Sequence, residues 1–302
     1  MRRIPSELWF ALFILGWSYY LRGLFLSMQF SEPPPPAIRV AAGIKVSSTG
    51  TTYEKLYDEA SKLHYVLFKP PKFATQPGLV WPLLVFLHGA GEQGEDLDLL
   101  FSEGATGCPP AELAAGRANC VLKDHFVVLA PQTSQGWHYD VDKLGPLVDR
   151  LVADPSLGLS ADHLYVTGVA NGGFGAWALG ATTLPGSKRH RFAAVAPVSS
   201  SKAIDIEHLG RVPVWAFHSA NDVIVHVGVS DELVSALRRY RGENKTVRYT
   251  RYDLGPAPTG EPEYEGHASW KHAYDLPILF QWFLDQKRGP EVSSQSSPSW
   301  WL

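Results

Sequence analysis

The feature of this chain that most restricts its fold is an alternation of short apolar runs with segments of helical pattern. The apolar runs have the length of buried strands and lie at residues 83–87, 126–130, 163–167, 192–198, 212–217 and 247–252. The helical segments lie between or after them, at residues 143–152, 172–181, 231–239 and 273–286. Such alternation is typical of a mainly parallel sheet with helices on both faces. We therefore predict one α/β domain, with antiparallel edge strands from residues 38–46 and 65–68.

The composition excludes several classes of protein. Hydrophobic residues make up 45% and charged residues 19% of the 302 residues, which is typical of a folded domain rather than of a disordered chain. The formal net charge of −3 gives no basic surface for a phosphate backbone, so we expect no nucleic-acid partner. His88 has no companion ligands at metal-binding spacing, and we predict neither a metal nor a cofactor.

The first residues of the chain have the pattern of a targeting segment. Arg2 and Arg3 precede an apolar stretch at residues 8–21, which resembles the charged and hydrophobic regions of a secretory signal. Residues 27–29 do not form a small-x-small cleavage site, so an uncleaved signal anchor is favoured over a cleaved signal. An amphipathic or buried N-terminal helix is the alternative. We expect a secretory-pathway protein, membrane-anchored or secreted, rather than a cytoplasmic one.

Four consecutive prolines separate this segment from the rest of the chain. They occupy residues 33–36 and form a stiff, extended spacer that cannot continue a helix. The last residues are rich in serine and proline, which indicates a disordered tail. The predicted organisation is an N-terminal signal or signal-anchor segment with its linker at residues 1–36, an α/β domain at 37–288 and a tail at 289–302.

A glycine-rich turn follows the apolar run at residues 163–167. Residues 168–172 read Gly-Val-Ala-Asn-Gly, which is the G-x-S-x-G spacing of a nucleophile elbow with Ala170 in the serine position. Glycines suit the flanking positions because side chains there would clash with the strand and the helix that the turn joins. The methyl group of Ala170 can occupy the elbow backbone, but it cannot attack a carbonyl group.

Two further segments supply backbone amides and a carboxylate near the same end of the sheet. Residues 83–87 run into a small-residue turn, where the amide of Ala90 or Gly91 can form half of an oxyanion hole. The second amide is expected from Asn171, at the start of the next helix. Asp222 lies in a loop just past the strand at residues 212–217.

A histidine completes the arrangement. His267 follows another strand and precedes a helix, so it can reach back over the sheet to Asp222 and to position 170. Each residue alone has a plainer interpretation, since Asp222 could cap a turn and His267 could be satisfied by neighbouring backbone. Their joint placement favours the remnant of a Ser-His-Asp unit.

Together these segments resemble the α/β-hydrolase superfamily, and within it the esterase branch of predicted peptidases, feruloyl-esterase-like and polyhydroxybutyrate-depolymerase-like proteins. The resemblance covers roughly residues 65–288 and is carried by residues 87–92, 130–132, 165–168, 172–175 with Trp177, 193–197, the Asp222 loop, and His267 with Trp270 and Tyr274. It implies an α/β-hydrolase fold and a carboxylic-ester hydrolase site. The chain departs from the resemblance at Ala170, where similar proteins carry serine.

Two functions follow from this departure. Loss of the nucleophile costs about a million-fold in turnover, so the first is a protein that is inactive or very weak by the serine route and binds an ester, acid or protein partner. The second is a working carboxylic-ester hydrolase in which His267 and Asp222 activate water or another nucleophile. Thr167 and Ser199 to Ser201 do not occupy the exposed elbow position, so they are unsuited to that role.

The remaining features allow more than one interpretation. Trp270 is close enough to His267 in sequence to border a pocket, although Trp177, Trp270 and Tyr274 also suit packing. Residues 104–119 form a glycine- and alanine-rich insertion, either a lid or rim of the site or a surface loop. Within or next to that insertion, Cys108 and Cys120 would close a small loop in an oxidising compartment. Asn244 begins a glycosylation sequon, which matters only in the secretory pathway.

Overall fold

The structure is a computed structural model that describes residues 38–39, 43–201, 206–242 and 246–289. The predicted targeting segment at the N-terminus, the sequon asparagine Asn244 and residues 290–302 of the predicted tail lie outside the described residues. In the part of the chain that is described, no helix is long and apolar enough to cross a bilayer.

The described strands form one ten-stranded sheet. They are β1 (Ile38–Arg39), β2 (Lys45–Val46), β3 (Thr52–Asp58), β4 (Leu63–Lys69), β5 (Trp81–Leu87), β6 (Val127–Gln132), β7 (Leu159–Val169), β8 (Ala194–Val198), β9 (Val214–Ser219) and β10 (Val247–Tyr252). The order across the sheet is β1-β3-β4-β6-β5-β7-β8-β9-β10, with β2 paired to β3. Strands β6, β5, β7, β8, β9 and β10 run parallel, and the first four strands are antiparallel. The predicted mostly parallel sheet is confirmed.

The helices of the described residues cover both faces of this sheet. They are α1 (Pro109–Ala114), α2 (Cys120–His125), α3 (Trp137–Ala153), α4 (Asn171–Gly180), α5 (Gly228–Arg241), α6 (Trp270–Ala273) and α7 (Pro277–Leu284). Side chains of α3, α4 and α5 pack in one core, and those of α1, α2, α6 and α7 pack in the other. Strand β5 serves both cores, because Leu83 and Val85 face the first and Leu84 and Phe86 face the second.

The predicted elements are present, but several have different limits. The helix expected at residues 143–152 begins at Trp137, where the side-chain oxygen of Asn171 accepts a hydrogen bond from the backbone amide at 2.9 Å. The helix expected at residues 273–286 is shorter than predicted, since α7 spans Pro277–Leu284. Pro277 starts α7 and disfavours helical backbone at the preceding residue, so the short helix α6, which ends at Ala273, is separate.

One strand was missed by sequence reasoning. The residues of β3 that point into the protein include Glu54 and Asp58 as well as Leu56. Their cationic partners lie outside the strand, since Lys69 lies 2.8 Å from Glu54 and Arg150 pairs with Asp58, which also accepts hydrogen bonds from Ser61. Carboxylates on a buried face hide the usual alternation of apolar and polar residues.

Candidate functional site

Ala170 lies in a sharp turn between the end of β7 and the start of α4. Its backbone has φ 52° and ψ −112°, a conformation that residues other than glycine rarely adopt. The turn is held by its own backbone: the amide of Ala170 donates to the carbonyl of Val198 at 3.0 Å, and the carbonyl of Ala170 accepts from Phe174 and Ser201. The strand, strained turn and helix of an elbow are therefore present with a methyl group at the centre.

The glycines around Ala170 are required by close approach. A Cβ at Gly168 would lie 2.3 Å from the carbonyl oxygen of Gly172, and a Cβ at Gly172 would lie 1.9 Å from that of Leu87. Both distances are far below van der Waals contact. Helix α4 thus packs directly on the ends of β7 and β5 because these two positions have no side chain.

Asp222 and His267 are hydrogen-bonded to each other. Asp222 lies in the loop after β9, and its carboxylate oxygens are 2.9 and 3.1 Å from Nδ1 of His267. The Asp222 side chain also accepts the backbone amides of Ile224 at 2.9 Å and Val225 at 2.8 Å. Because a carboxylate only accepts, Nδ1 of His267 carries its proton and Nε2 is left as the basic nitrogen.

A second histidine, His218, contacts the same carboxylate and was missed by sequence reasoning. Its Nε2 is 3.1 Å from Asp222 Oδ2 and 3.0 Å from the carbonyl of Val225, and its Nδ1 is 2.7 Å from the hydroxyl of Ser230. Two acceptors at Nε2 place the proton there. The spacing of four residues between His218 and Asp222 was visible in the sequence, but His218 lies inside strand β9, where an apolar residue is the usual expectation.

These contacts set the charge of Asp222. Burial alone would raise the pKa of its carboxyl group, but the hydrogen bonds from His218 and His267 outweigh burial and hold that pKa well below its ordinary value. Asp222 is therefore ionised, fixed in orientation and able to hold His267 in one tautomer.

The loop that carries His267 is held by the conformation of Gly266 and by a hydrogen bond from the hydroxyl of Ser199. Gly266 has φ 78°, and a Cβ there would lie 2.3 Å from the carbonyl of Asn221. The hydroxyl of Ser199 donates to the carbonyl of His267 at 3.0 Å and lies 2.6 Å from the hydroxyl of Ser269. Ser199 itself has a positive φ of 46° and is fully buried. Ser199 therefore stabilises the loop of His267 from the protein interior and does not line the cavity.

The turn after β5 is a short 3-10 helix, Ala90–Glu92. His88, at the start of this turn, accepts the amide of Thr133 at Nε2 over 3.1 Å, so its Nδ1 donates to the carbonyl of Gly89 at 2.6 Å. Burial lowers the pKa of His88 to about 4, and the histidine is neutral. These bonds give His88 a structural role in shaping the turn.

A cavity of about 460 Å³ brings most of the predicted site residues together. Ala90, Gly91, Ala170, His267 and Trp270 line it, together with Gly89, Glu92, Gly104, Cys108, Val169, Ile224, Pro258, Thr259, Glu261 and Tyr264. Asp222 lies behind His267 and is not in the wall. The side chain of Asn171 is turned away to cap α3, and its suggested part in an oxyanion hole stays a prediction.

The aromatic and sulfur groups of the wall are also placed. The ring of Trp270 meets that of His267 edge-on, with the ring centroids 5.5 Å apart, so Trp270 borders the cavity. Cys108 is buried and Cys120 is exposed, and both are free. Burial raises the pKa of the Cys108 thiol well above its ordinary value, which makes it a poor nucleophile. Since Gly104 and Cys108 are in the wall, the insertion at residues 104–119 forms part of the rim.

The hydroxyl groups of Thr167 and Ser199 are buried outside the cavity wall. Thr167 is fully buried within β7 and donates to the carbonyl of Ala196, while its oxygen lies 2.8 Å from the hydroxyl of Tyr274. Neither Thr167 nor Ser199 lines the cavity. Among the described residues, no group of three or more His, Cys, Asp or Glu side chains could hold a metal ion.

Comparison with known proteins gives structural relatives. No family model matches the chain, and no curated protein matches its sequence. A thermostable esterase of known structure is 26% identical with a TM-score of 0.59, over 79% of this chain and 64% of that protein. A ferulic acid esterase is 15% identical over 76% of this chain and 98% of its own, with a TM-score of 0.47. Esterase B from Lactobacillus rhamnosis is 14% identical over 93% and 94%, with a TM-score of 0.48.

The sheet order, the elbow after β7 and the likeness to the thermostable esterase define the class of protein. The chain has the α/β-hydrolase fold, and it is similar in structure to an esterase. It spans about 64% of the length of the thermostable esterase.

Proposed function

We propose that this chain is a ligand-binding α/β-hydrolase that has lost hydrolysis by the serine route, and that its ligand is a small ester or acid. The observation that supports this most strongly is the methyl group of Ala170, which lies at the elbow and in the same cavity wall as His267. The basic nitrogen of His267 has no hydroxyl group at position 170 from which to take a proton.

The expected cost of this single absence is large. In a Ser-His-Asp unit, removal of the nucleophile lowers turnover by about a million-fold, or roughly 8 kcal/mol of transition-state stabilisation. Binding and an oxyanion hole alone leave about a thousand-fold over the reaction in water. The amides of Ala90 or Gly91, with that of Asn171, are the donors that we propose for this hole.

A second function is supported by the retained pair of His267 and Asp222. A hydrogen-bonded imidazole in a cavity wall can act as a general base toward a water molecule, which contributes about a hundred- to ten-thousand-fold. The chain would then be a slow carboxylic-ester hydrolase with water as the nucleophile.

The experiment that tests the first function compares the wild type with Ala170→Ser on a short-chain nitrophenyl ester. The serine variant should be faster by about three orders of magnitude or more, and only this variant should react covalently with a fluorophosphonate. Ala170→Ser combined with His267→Gln is the matched control and should lose the gain. Turnover of the wild type at ordinary enzyme rates, or no gain in the serine variant, would contradict the proposal.

We also propose that the N-terminal segment directs the chain into the secretory pathway as a membrane anchor or an export signal. Its support is the sequence of residues 8–21 after Arg2 and Arg3. Full-length protein made with microsomes should be protected from protease and should carry a glycan at Asn244. A chain that is wholly accessible to protease and unglycosylated would refute this proposal.

A further inference from the structure

The cavity that contains Ala170 also contains a buried carboxyl group. Glu92 is only 8% exposed, and it ends the turn that follows β5. Positions for a Cβ at Gly89 and Gly104 would lie 3.3 and 3.9 Å from its carboxyl oxygens. The carboxyl group of Glu92 therefore lies where glycine backbone from two segments leaves room for it, in the cavity wall and next to the proposed oxyanion turn.

No basic side chain in the described wall neutralises this group. The wall holds a second carboxylate, that of the exposed Glu261, but none of its described residues is lysine or arginine. A nearby lysine, Lys271, donates to the carbonyls of Ala257 and Pro258 and lines a different cavity. Apart from His267, whose Nδ1 proton is directed to Asp222, no described residue of the wall has a basic side chain.

Burial without a cationic partner destabilises the ionised form of a carboxyl group such as that of Glu92. A carboxylate taken out of water without a cationic partner is destabilised, because protein dipoles replace only part of its hydration. Burial accordingly raises the pKa of Glu92, although a hydrogen bond from the backbone at Gly89 lowers it in part. A ligand that brings a positive charge into the cavity would remove this cost.

We infer that the cavity takes a ligand whose inserted end carries a protonated amine, and that Glu92 is the residue that recognises the amine. The inference deepens the proposed function, since it names the ligand class of the same cavity and favours an amine-bearing ester or amide over a free carboxylic acid. It requires binding and not hydrolysis, so it can fail while the activity test at position 170 succeeds.

The test uses three compounds with one carbon skeleton and different charge: phenylpropylamine, phenylpropanamide and phenylpropanoate. Their binding to the full chain is measured at neutral pH by calorimetry and ligand-observed NMR. Wild type should bind the amine most tightly and the acid most weakly. Glu92→Gln keeps an acceptor for the amide of Gly89 and should weaken the amine by about tenfold, to the level of the neutral amide.

The matched control is Glu103→Gln, which removes the same charge from an exposed position outside the cavity wall and should leave all three affinities unchanged. The wild-type order decides the question even if Glu92→Gln does not fold. The inference is overturned if the acid binds as tightly as the amine, if none of the three binds at millimolar concentration, or if folded Glu92→Gln retains the preference for the amine.

Discussion

Replacement of Asp222 by asparagine changes one oxygen to an amide nitrogen at a carboxylate that is surrounded by N–H donors. One oxygen accepts the amides of Ile224 and Val225, and the other lies 3.1 Å from His218 and 2.9 Å from His267. In one orientation of the asparagine side chain its NH2 group would face the amides of Ile224 and Val225, and in the other it would face the two histidines, so a donor would meet donors in both. If the asparagine NH2 group faces the two histidines, His267 can avoid a donor–donor contact by carrying its proton on Nε2 instead of Nδ1. His218 cannot, because the proton on its Nε2 also bonds to the carbonyl of Val225.

The size of the effect follows from the groups left unpaired. One buried donor without an acceptor costs about 1–3 kcal/mol, and hydrogen bonds to a charged group are worth about 1.5–3 kcal/mol each. We expect Asp222→Asn to lower the free energy of unfolding by about 2–4 kcal/mol near pH 7. Asp253→Asn, at an exposed position, is the matched control and should change it by less than about 0.5 kcal/mol.

Urea denaturation followed by tryptophan fluorescence measures both variants. The pKa of Asp222 is lower in the folded chain than in the unfolded chain, so its contribution is present above the unfolded pKa of about 4 and is lost as the pH falls below it. The gap between wild type and Asp222→Asn should therefore narrow under acid conditions. A gap below about 1 kcal/mol near pH 7, or one that widens in acid, would refute the described bonding of Asp222.

Three further predictions concern the supports of the site. Gly172→Ala should abolish the folded state or lower its melting temperature sharply, because the added Cβ would clash with the carbonyl group of Leu87. Gly91→Ala is the control and should be tolerated, since no atom lies within 4 Å of a Cβ at that position. Equal melting temperatures of the two variants would contradict this prediction. Ser199→Ala should cost about 1–3 kcal/mol of unfolding free energy in urea, because the histidine loop loses its hydroxyl donor, and an unchanged midpoint would argue against that role. The pKa of His88 is lowered to about 4 in the folded chain, so its contribution to the free energy of unfolding is fully present above about pH 6.5. Up to about 3 kcal/mol of that contribution is lost as the pH falls to about 4. The unfolding free energy of His88→Gln should lack this part of the pH dependence, and a pH dependence identical to that of the wild type would disprove the prediction.

The order of the strands from β5 to β10 could be predicted from the sequence, because each of them contains a run of apolar, β-branched or aromatic residues of strand length. Strand β10 was predicted with its observed limits, and β5, β6, β8 and β9 differ from prediction by only a few residues. The start of α3 could not be predicted, because its cap is the side chain of Asn171. Strand β3 was hidden because its buried residues include the carboxylates Glu54 and Asp58, whose cationic partners, Lys69 and Arg150, lie outside the strand.

In the site, too, residues in local sequence motifs could be predicted, and residues without such a motif could not. Ala170, Asp222 and His267 follow motifs with local spacing, and the structure brings Asp222 and His267 within hydrogen-bond distance. Glu92 and His218 carry no comparable local signal. The role of Glu92 depends on the cavity wall, which residues from distant parts of the sequence form. His218 lies only four residues before Asp222, but its place inside strand β9 does not indicate that its ring reaches the carboxylate.

The backbone at position 170 is set by its neighbours, since Gly168 and Gly172 permit the close packing and Val198 accepts the amide of Ala170. The side chain at that position contributes little to the turn that holds it. Alanine and serine codons can differ in a single base, so one point mutation would place an alcohol on a backbone already shaped for it. A serine at this position would therefore need no change in the surrounding turn.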